Sequence, residues 1–312
     1  MSVTTASARC LREAIRPTTF IEAPRLARRL GINLTLASET FQHTGSFKFR
    51  AAYNVASHVS QSKIITASSG NFGQAMAYAC HLLKKSCLVI MPRTSAQVKI
   101  AAVREYGAAV DLIDTQEKSR LARLAELACE HTDAYAASPY DDPLVIEGNA
   151  GLGEELCAYQ TAFDVIVAPI GGGGLTSGII SGVHRTGQGT KVIAAEPLMA
   201  NDAARSLRAG HIVPNVCEPL TIADGARTLS VGQHNWDILQ NGLYRIVEVP
   251  ENHIKEAVRL LFSLANLKAE PTGALSLAAT LTQPDLFRDR SVCCVVSGGN
   301  VDTEVYRAIL AD

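Results

Sequence analysis

Lys48 stands in the stretch FQHTGSFKFRAAYN, residues 41–54, with Phe47 and Phe49 on either side. A strand-like run at 34–37 gives way to a polar turn at Gln42–Gly45, after which a helix opens with Thr44 or Ser46 as its cap. Lys48 then lies in the first helical turn, where the macrodipole disfavours a cation by about 0.3–1 kcal/mol. A lysine set against that dipole and flanked by apolar surface is expected to give up its proton readily. That suits Schiff-base chemistry with a carbonyl compound. Gly171, Gly172, Gly173 and Gly174 separate the strand-like VIVAPI from LTSGII, so their N–H groups can converge on an anion at a helix N-terminus. The same quartet could serve a dinucleotide or simple close packing. GGGGLTSG departs from G-x-G-x-x-G, however, and no lysine follows it as in a P-loop. SSGNFG, residues 68–73, is a second strand-to-helix turn, in which Ser68, Ser69 and Asn71 suit a carboxylate or an aromatic hydroxyl. SGGN, residues 297–300, is a third polar turn at a strand end. A reactive lysine, an anion loop and polar turns together describe a site for an aromatic aldehyde phosphate.

The elements that must hold these residues alternate along the chain. Residues 7–16 read as a helix stopped by Pro17, and Pro24 opens a second helix that runs to Leu30 before Gly31. KIITA (63–67), CLVIM (87–91) and AVDLI (109–113) are short β-rich runs, followed by AMAYACHLL and by helices over Ser95 to Glu105 and Gln116 to Cys129. SPYDDP (138–143) is a turn-rich joint, beyond which a glycine-laced segment and a helix lead to the strand, glycine quartet and helix of 164–183. KVIAAEP (191–197) is a buried strand, 200–209 a helix, 251–267 an amphipathic helix and SVCCVVSGGN (291–300) a strand with its turn. This alternation predicts an α/β fold with mostly parallel sheets. A large domain (1–62 and 140–312) is expected to carry a smaller one (63–139) as an insertion.

Composition agrees with that class. The 312 residues are 47% apolar but only 5% aromatic, with 23 glycines, which fits an aliphatic α/β core. Formal charge is -1 with acids and bases interspersed, so no basic stripe invites nucleic acid. No apolar run reaches the ~18 residues of a membrane span. The N-terminal residues lack an apolar signal segment, and although Arg9, Arg12 and Arg16 faintly suggest a transit peptide, Glu13 and the helical pattern argue against one. A cytoplasmic protein is expected. Eight cysteines without a C-x-x-C pair read as thiols in a reducing compartment, and Cys293 and Cys294 should point to opposite faces of one strand.

TGSFKFRAAYN, SSGNFGQA, VIVAPIGGGGLTSG, AAEP, TIADGA, EPTGA and VVSGGNVD, in this order, resemble the fold-type II pyridoxal-phosphate enzymes, in their serine racemase and serine/threonine dehydratase branch. The resemblance implies a tryptophan synthase β-like fold of large and small domains, and a homodimer. It implies that Lys48 carries pyridoxal 5′-phosphate and moves the Cα proton. Gly171, Gly172, Gly173 and Gly174 would hold the phosphate, Asn71 the 3′-oxygen, and Ser297 would face the pyridine nitrogen. Ser68, Ser69 and Asn71 would bind the substrate carboxylate, with Ser69 as the base on the opposite face in racemases and Tyr106 at a pocket position. Glu196, the Ala200 carbonyl and Asp202 would bind Mg²⁺ or Mn²⁺.

Two departures bear on the substrate. Phe72 stands where the branch has histidine, and VIEGNAG (145–151) replaces VIAGQGT, introducing Glu147 and Asn149. Both segments are expected to border the substrate side chain, so the 3-hydroxy amino acid is either L-threonine/L-serine-like or bulkier, aromatic included. The chain stops soon after SGGN, so the C-terminal regulatory domain of biosynthetic threonine dehydratases is expected to be absent. The leading expectation is a lyase that removes water from a 3-hydroxy amino acid to give a 2-oxo acid and ammonia. The alternative is amino-acid racemisation by Lys48 and Ser69. A β-replacement synthase ranks third. A nicotinamide dehydrogenase would lack its fingerprint, and a binding module would not need the lysine.

Overall fold

The structure, a computed structural model, describes residues 14–68, 70–95 and 97–311. The chain groups into two compact units. One holds 14–16, Gln42–Thr44 and Lys48–Gly148, and the other Pro17–Phe41, Gly45–Phe47 and the chain from Asn149 onward. The strands are β1 (Thr19–Glu22), β2 (Asn33–Ser38), β3 (Lys63–Ala67), β4 (Ser86–Pro92), β5 (Ala109–Ile113), β6 (Ala134–Ala137), β7 (Val165–Pro169), β8 (Lys191–Pro197), β9 (Leu243–Val249) and β10 (Ser291–Val296). The first six helices are α1 (Pro24–Leu30), α2 (Lys48–His58), α3 (Asn71–Leu82), α4 (Gln97–Glu105), α5 (Arg120–Glu130) and α6 (Pro143–Cys157). The rest are α7 (Gly174–Thr186), α8 (Asp202–Ala209), α9 (Gln233–Gly242), α10 (Glu251–Ala265), α11 (Pro271–Thr282) and α12 (Thr303–Ala311).

In the larger unit six strands run in the order β1-β2-β10-β7-β8-β9, parallel throughout except where β1 meets β2. Every residue of β7 is buried, which is why VIVAP reads as an unbroken apolar run: helices cover both faces of a central parallel strand. On one face Cys294 and Val296 pack with Ile254, Val258 and Leu261 of α10 and Leu275 of α11. On the other, Cys293 and Val295 pack with Ile179 of α7 and Trp236 of α9. The vicinal cysteines thus point to opposite faces, and both are free thiols. Burying each such Val, Ile or Leu side chain contributes about 1.5–3 kcal/mol.

The smaller unit has four parallel strands in the order β5-β4-β3-β6. Phe49 of α2, Phe72 and Met76 of α3, and Ile100 of α4 fill one face; Leu127 of α5 packs with Ile65 and Ile90 on the other. Helix α2, expected with the larger domain, groups with this unit because Phe49 to Ala56 are buried against its core.

Several boundaries differ from expectation. Helix α5 begins at Arg120, not Gln116: Ser119 accepts from Ala122 N at 3.1 Å, a cap of about 1 kcal/mol, while Asp114 turns the preceding residues by accepting from Gln116 N. The glycine-laced segment after Pro143 is itself helical. A Cβ at Gly148 would lie 2.7 Å from Arg50 O, and one at Gly153 2.5 Å from Ile179 O, so these glycines admit a neighbouring backbone and do not break α6. Strands β1, β6 and β9 carried too little pattern to be foreseen. Of the helix expected over 7–16, only 14–16 fall among the described residues. No helix among the described residues is long and apolar enough to cross a membrane.

Candidate active site

In the larger unit the turns of interest follow neighbouring strands, β10 and β7, at the carboxyl edge of the sheet. Open α/β sheets place their ligands at that edge. Gly171–Gly174 follow β7 and open the 13-residue helix α7, whose first-turn N–H groups have no intrahelical partner by geometry. Gly173 sits at φ 100°, a conformation side chains avoid, and a Cβ at Gly171 would lie 2.9 Å from Ala226 Cα. Gly225 of the ADG turn donates its N–H to Thr272 Oγ1 at 3.0 Å, which ties TIADGA to EPTGA. Ser297 is buried directly after β10, and its carbonyl accepts the N–H of Phe47 at 2.9 Å, while Ser46 bridges to Gly298. The residue preceding Lys48 is thereby fastened to the SGGN turn. Ser46 does not cap the helix: its buried hydroxyl makes no hydrogen bond.

In the smaller unit Lys48 is the first residue of α2. Its Nζ donates to Pro139 O at 2.7 Å and lies 5.6 Å from the centroid of the Phe72 ring. Pro139 follows β6 and the SSGN turn follows β3, the strand beside it, so parallel pairing brings both turns to one edge. Ser68 is buried, its hydroxyl accepting from Gly70 N at 3.4 Å; Asn71 opens α3, and Ser69 lies outside the described residues. Phe72 is buried in the unit's core with one face toward the lysine, whereas Glu147 is exposed on α6. His43 packs edge-on against Phe49 at 4.9 Å, and burial first, then Arg16, pushes its pKa down. Tyr106 stacks obliquely on Tyr78 at 5.0 Å and lines a cavity of about 190 Å³ with His81, Lys84 and Lys85. The Pro139 carbonyl had no sequence signal beyond the turn-rich SPYDDP.

Glu196 near the end of β8 is fully buried, its carboxylate accepting from Ala203 N at 2.8 Å and Ala204 N at 2.9 Å. Asp202, first in α8, accepts from Val231 N at 2.8 Å and Asn215 Nδ2 at 2.9 Å. Burial, and then the Asp202 charge, push Glu196 well above the usual carboxylate range, and burial pushes Asp202 up to about 6. Ala200 is buried in the short turn between them. Among the described residues no group of three or more His, Cys, Asp or Glu side chains could hold a metal. The set here is two carboxylates and a carbonyl. Burial and the Asp202 charge disfavour a charged Glu196, and a dication there would use lone pairs the N–H groups leave open.

Two largely parallel sheets flanked by helices are the architecture of fold-type II pyridoxal-phosphate enzymes, and solved structures of that class superpose on this chain. The family model "Pyridoxal-phosphate dependent enzyme" matches residues 11–298, and the chain belongs to that family. It is 34% identical over 305 residues to human serine racemase, covering 94% of this chain and 88% of that protein. It is 34% identical over 286 residues to L-threo-3-hydroxyaspartate ammonia-lyase from a Pseudomonas species, covering 90% and 88%. The crystal structure of a T.th. threonine deaminase superposes with a TM-score of 0.88 at 36% identity, over 97% of this chain and 99% of that one. The residues present fit the cofactor in kind: an amine, a loop of amides for a phosphate, and a buried neutral hydroxyl.

Proposed function

We propose that this chain is a dehydratase of the ammonia-lyase type, converting a 3-hydroxy amino acid to a 2-oxo acid and ammonia. Pyridoxal phosphate, when bound, supplies the electron sink that loosens bonds at the amino acid's α-carbon. Lys48 would hold the cofactor and then take the α-proton; the β-hydroxyl leaves with a proton as water, and the released enamine takes up one water to give the 2-oxo acid and ammonia. The N–H groups of Gly171, Gly172, Gly173 and Gly174 hold the phosphate, and Asn71 the ring oxygen. Ser68, Ser69 and Asn71 orient the substrate carboxylate, and Phe72 packs beside the lysine. The observation that carries this reading is the buried neutral Ser297, to whose carbonyl the residue before Lys48 is bonded. Ser297 would face the pyridine nitrogen, as the resemblance implies, and a neutral hydroxyl there would not keep the ring charged, which would favour prompt loss of a β-leaving group. The names of the relatives support substrates in the range of serine, threonine and 3-hydroxyaspartate.

Racemisation is the second reading, favoured by the second serine of SSGN and by the likeness to human serine racemase. A hydroxyl is a poor base without a neighbour to take its proton, and Phe72 provides none. The test is a panel of L- and D-serine, threonine, 3-hydroxyaspartate and phenylserine, assayed for 2-oxo acid and for inversion. Elimination from L-substrates should dominate. Ser69→Ala should abolish D-isomer chemistry while keeping most L-elimination. Rapid inversion of serine that vanishes in Ser69→Ala would make racemisation the primary activity.

We further propose that Glu196, the Ala200 carbonyl and Asp202 hold Mg²⁺ or Mn²⁺. Such a cation stabilises the native state by about 2.7 kcal/mol at a hundredfold excess over its dissociation constant. Chelator should lower the melting temperature and either metal restore it. Ligands must be deprotonated to bind, and burial pushes both carboxylates up, so the effect should shrink as the pH falls. A melting temperature indifferent to chelator at pH 7.5 removes the site. The larger unit is read as the phosphate-holding domain and the smaller as the domain of Lys48 and the carboxylate turn. A homodimer is supported by exposed Leu198, Met199, Val216, Leu220 and Leu229, and a cytoplasmic location by the free thiols of the described cysteines.

A further inference from the structure

The carbonyl oxygens around the glycine loop are engaged from the protein side. Gly172 O accepts from Asn235 Nδ2 at 2.9 Å and from Gly232 N at 3.0 Å. Gly174 O accepts from Asn149 Nδ2 at 3.0 Å, Gly173 O from Ser177 N at 2.8 Å, and Pro169 O from Thr176 Oγ1 at 3.1 Å. Both asparagines are fully buried, on α9 and α6. A trans peptide carries its C=O and N–H in opposite directions, and the chain has no cis bonds among the described residues. Holding Gly172 O therefore aims the Gly173 N–H the other way, and holding Gly174 O does the same for the Leu175 N–H. The glycine at 173 is what lets Asn235 come so close, since a Cβ there would lie 2.8 Å from Asn235 Cβ.

We propose that Asn149 and Asn235 are positioning residues that aim the amides of the glycine loop at the cofactor phosphate. Neither touches the reacting atoms, and neither residue type belongs to the glycine motif. Asn149 makes its contribution at a visible cost: its Oδ1 is buried without a hydrogen-bond partner. A residue kept only for packing would be better replaced by an apolar side chain of similar size. The amide is retained for what its Nδ2 holds. The same oxygen-side grip explains how four residues without side chains keep one conformation, since glycine otherwise has the greatest backbone freedom.

The inference rests on the family's cofactor and on the glycine loop holding its phosphate, not on which reaction follows. It is tested by stripping the protein of cofactor and titrating it with pyridoxal 5′-phosphate and, separately, with pyridoxal, which lacks the phosphate. Asn149→Leu and Asn235→Asp should each weaken pyridoxal phosphate binding about two- to twelvefold, the scale of one lost net hydrogen bond. Pyridoxal affinity should stay within about twofold, because its ring and aldehyde contacts are elsewhere. Unchanged phosphate-ester binding, or equal losses for both aldehydes, overturns the proposal. Should Asn235→Asp fail to fold, Asn149→Leu carries the test alone. A native protein that binds both aldehydes equally well would show that the glycine loop is not the phosphate holder, and would overturn both readings together.

Discussion

Lys48→Ala is expected to yield a colourless protein with activity at least about 10²–10⁴-fold lower, the range a positioned proton-transfer group contributes. In the native protein, borohydride reduction followed by peptide mapping should fix the cofactor to Lys48. The geometry makes this residue difficult to replace. Its Nζ is oriented by the Pro139 carbonyl at 2.7 Å and by the Phe72 ring, while the preceding Phe47 N–H is fastened to Ser297 O. An amine supplied by a neighbouring surface lysine lacks both restraints. Recovering the label on Lys63 or Lys99, or a Lys48→Ala variant that keeps its colour and turnover, would refute the assignment.

Gly273→Ala is expected to be strongly destabilising and to weaken cofactor binding. A Cβ at this first-turn position of α11 would fall on the backbone oxygen of Gly298 and 3.1 Å from Gly298 N. The obstruction is main chain against main chain, so no side-chain rotamer can relieve it. Glu270 N also donates to Gly298 O at 3.1 Å, so displacing the helix strips a bond from the SGGN turn. Overpacking of this kind costs about 1–3 kcal/mol, and each kcal/mol lowers the melting temperature by about 2–4 °C for a unit of this size. Cofactor affinity should fall with it, because Ser297 lies in the displaced turn. The control is Gly151→Ala in α6, where a Cβ meets nothing within 4 Å and should stabilise the helix by about 0.5–1 kcal/mol. Equal melting temperatures for the two variants would mean that the approach of α11 to the SGGN turn is not tight.

What the sequence by itself determined is the local chemistry. The strand, glycine quartet and helix of 164–183 are written in residues that are neighbours in the chain. So are the Pro24 start and Gly31 stop of α1 and the opposite facing of Cys293 and Cys294, because capping, φ preference and strand periodicity act over a few residues. The resemblance added the cofactor and the class of enzyme. Only the tertiary structure decided which distant groups serve those motifs. Pro139 O reaches Lys48 across 91 residues and Asn235 reaches Gly172 across 63, through pairings set by sheet order and helix docking. The same holds for Ser46, whose position suggested a helix cap until the bridge to Gly298 turned its backbone elsewhere. It holds for Asn149, whose side-chain amide donates to Gly174 O. Short-range rules state what a residue can donate or accept; the packed fold supplies the partner, because buried polar groups must be satisfied by whatever the topology brings within about 3 Å.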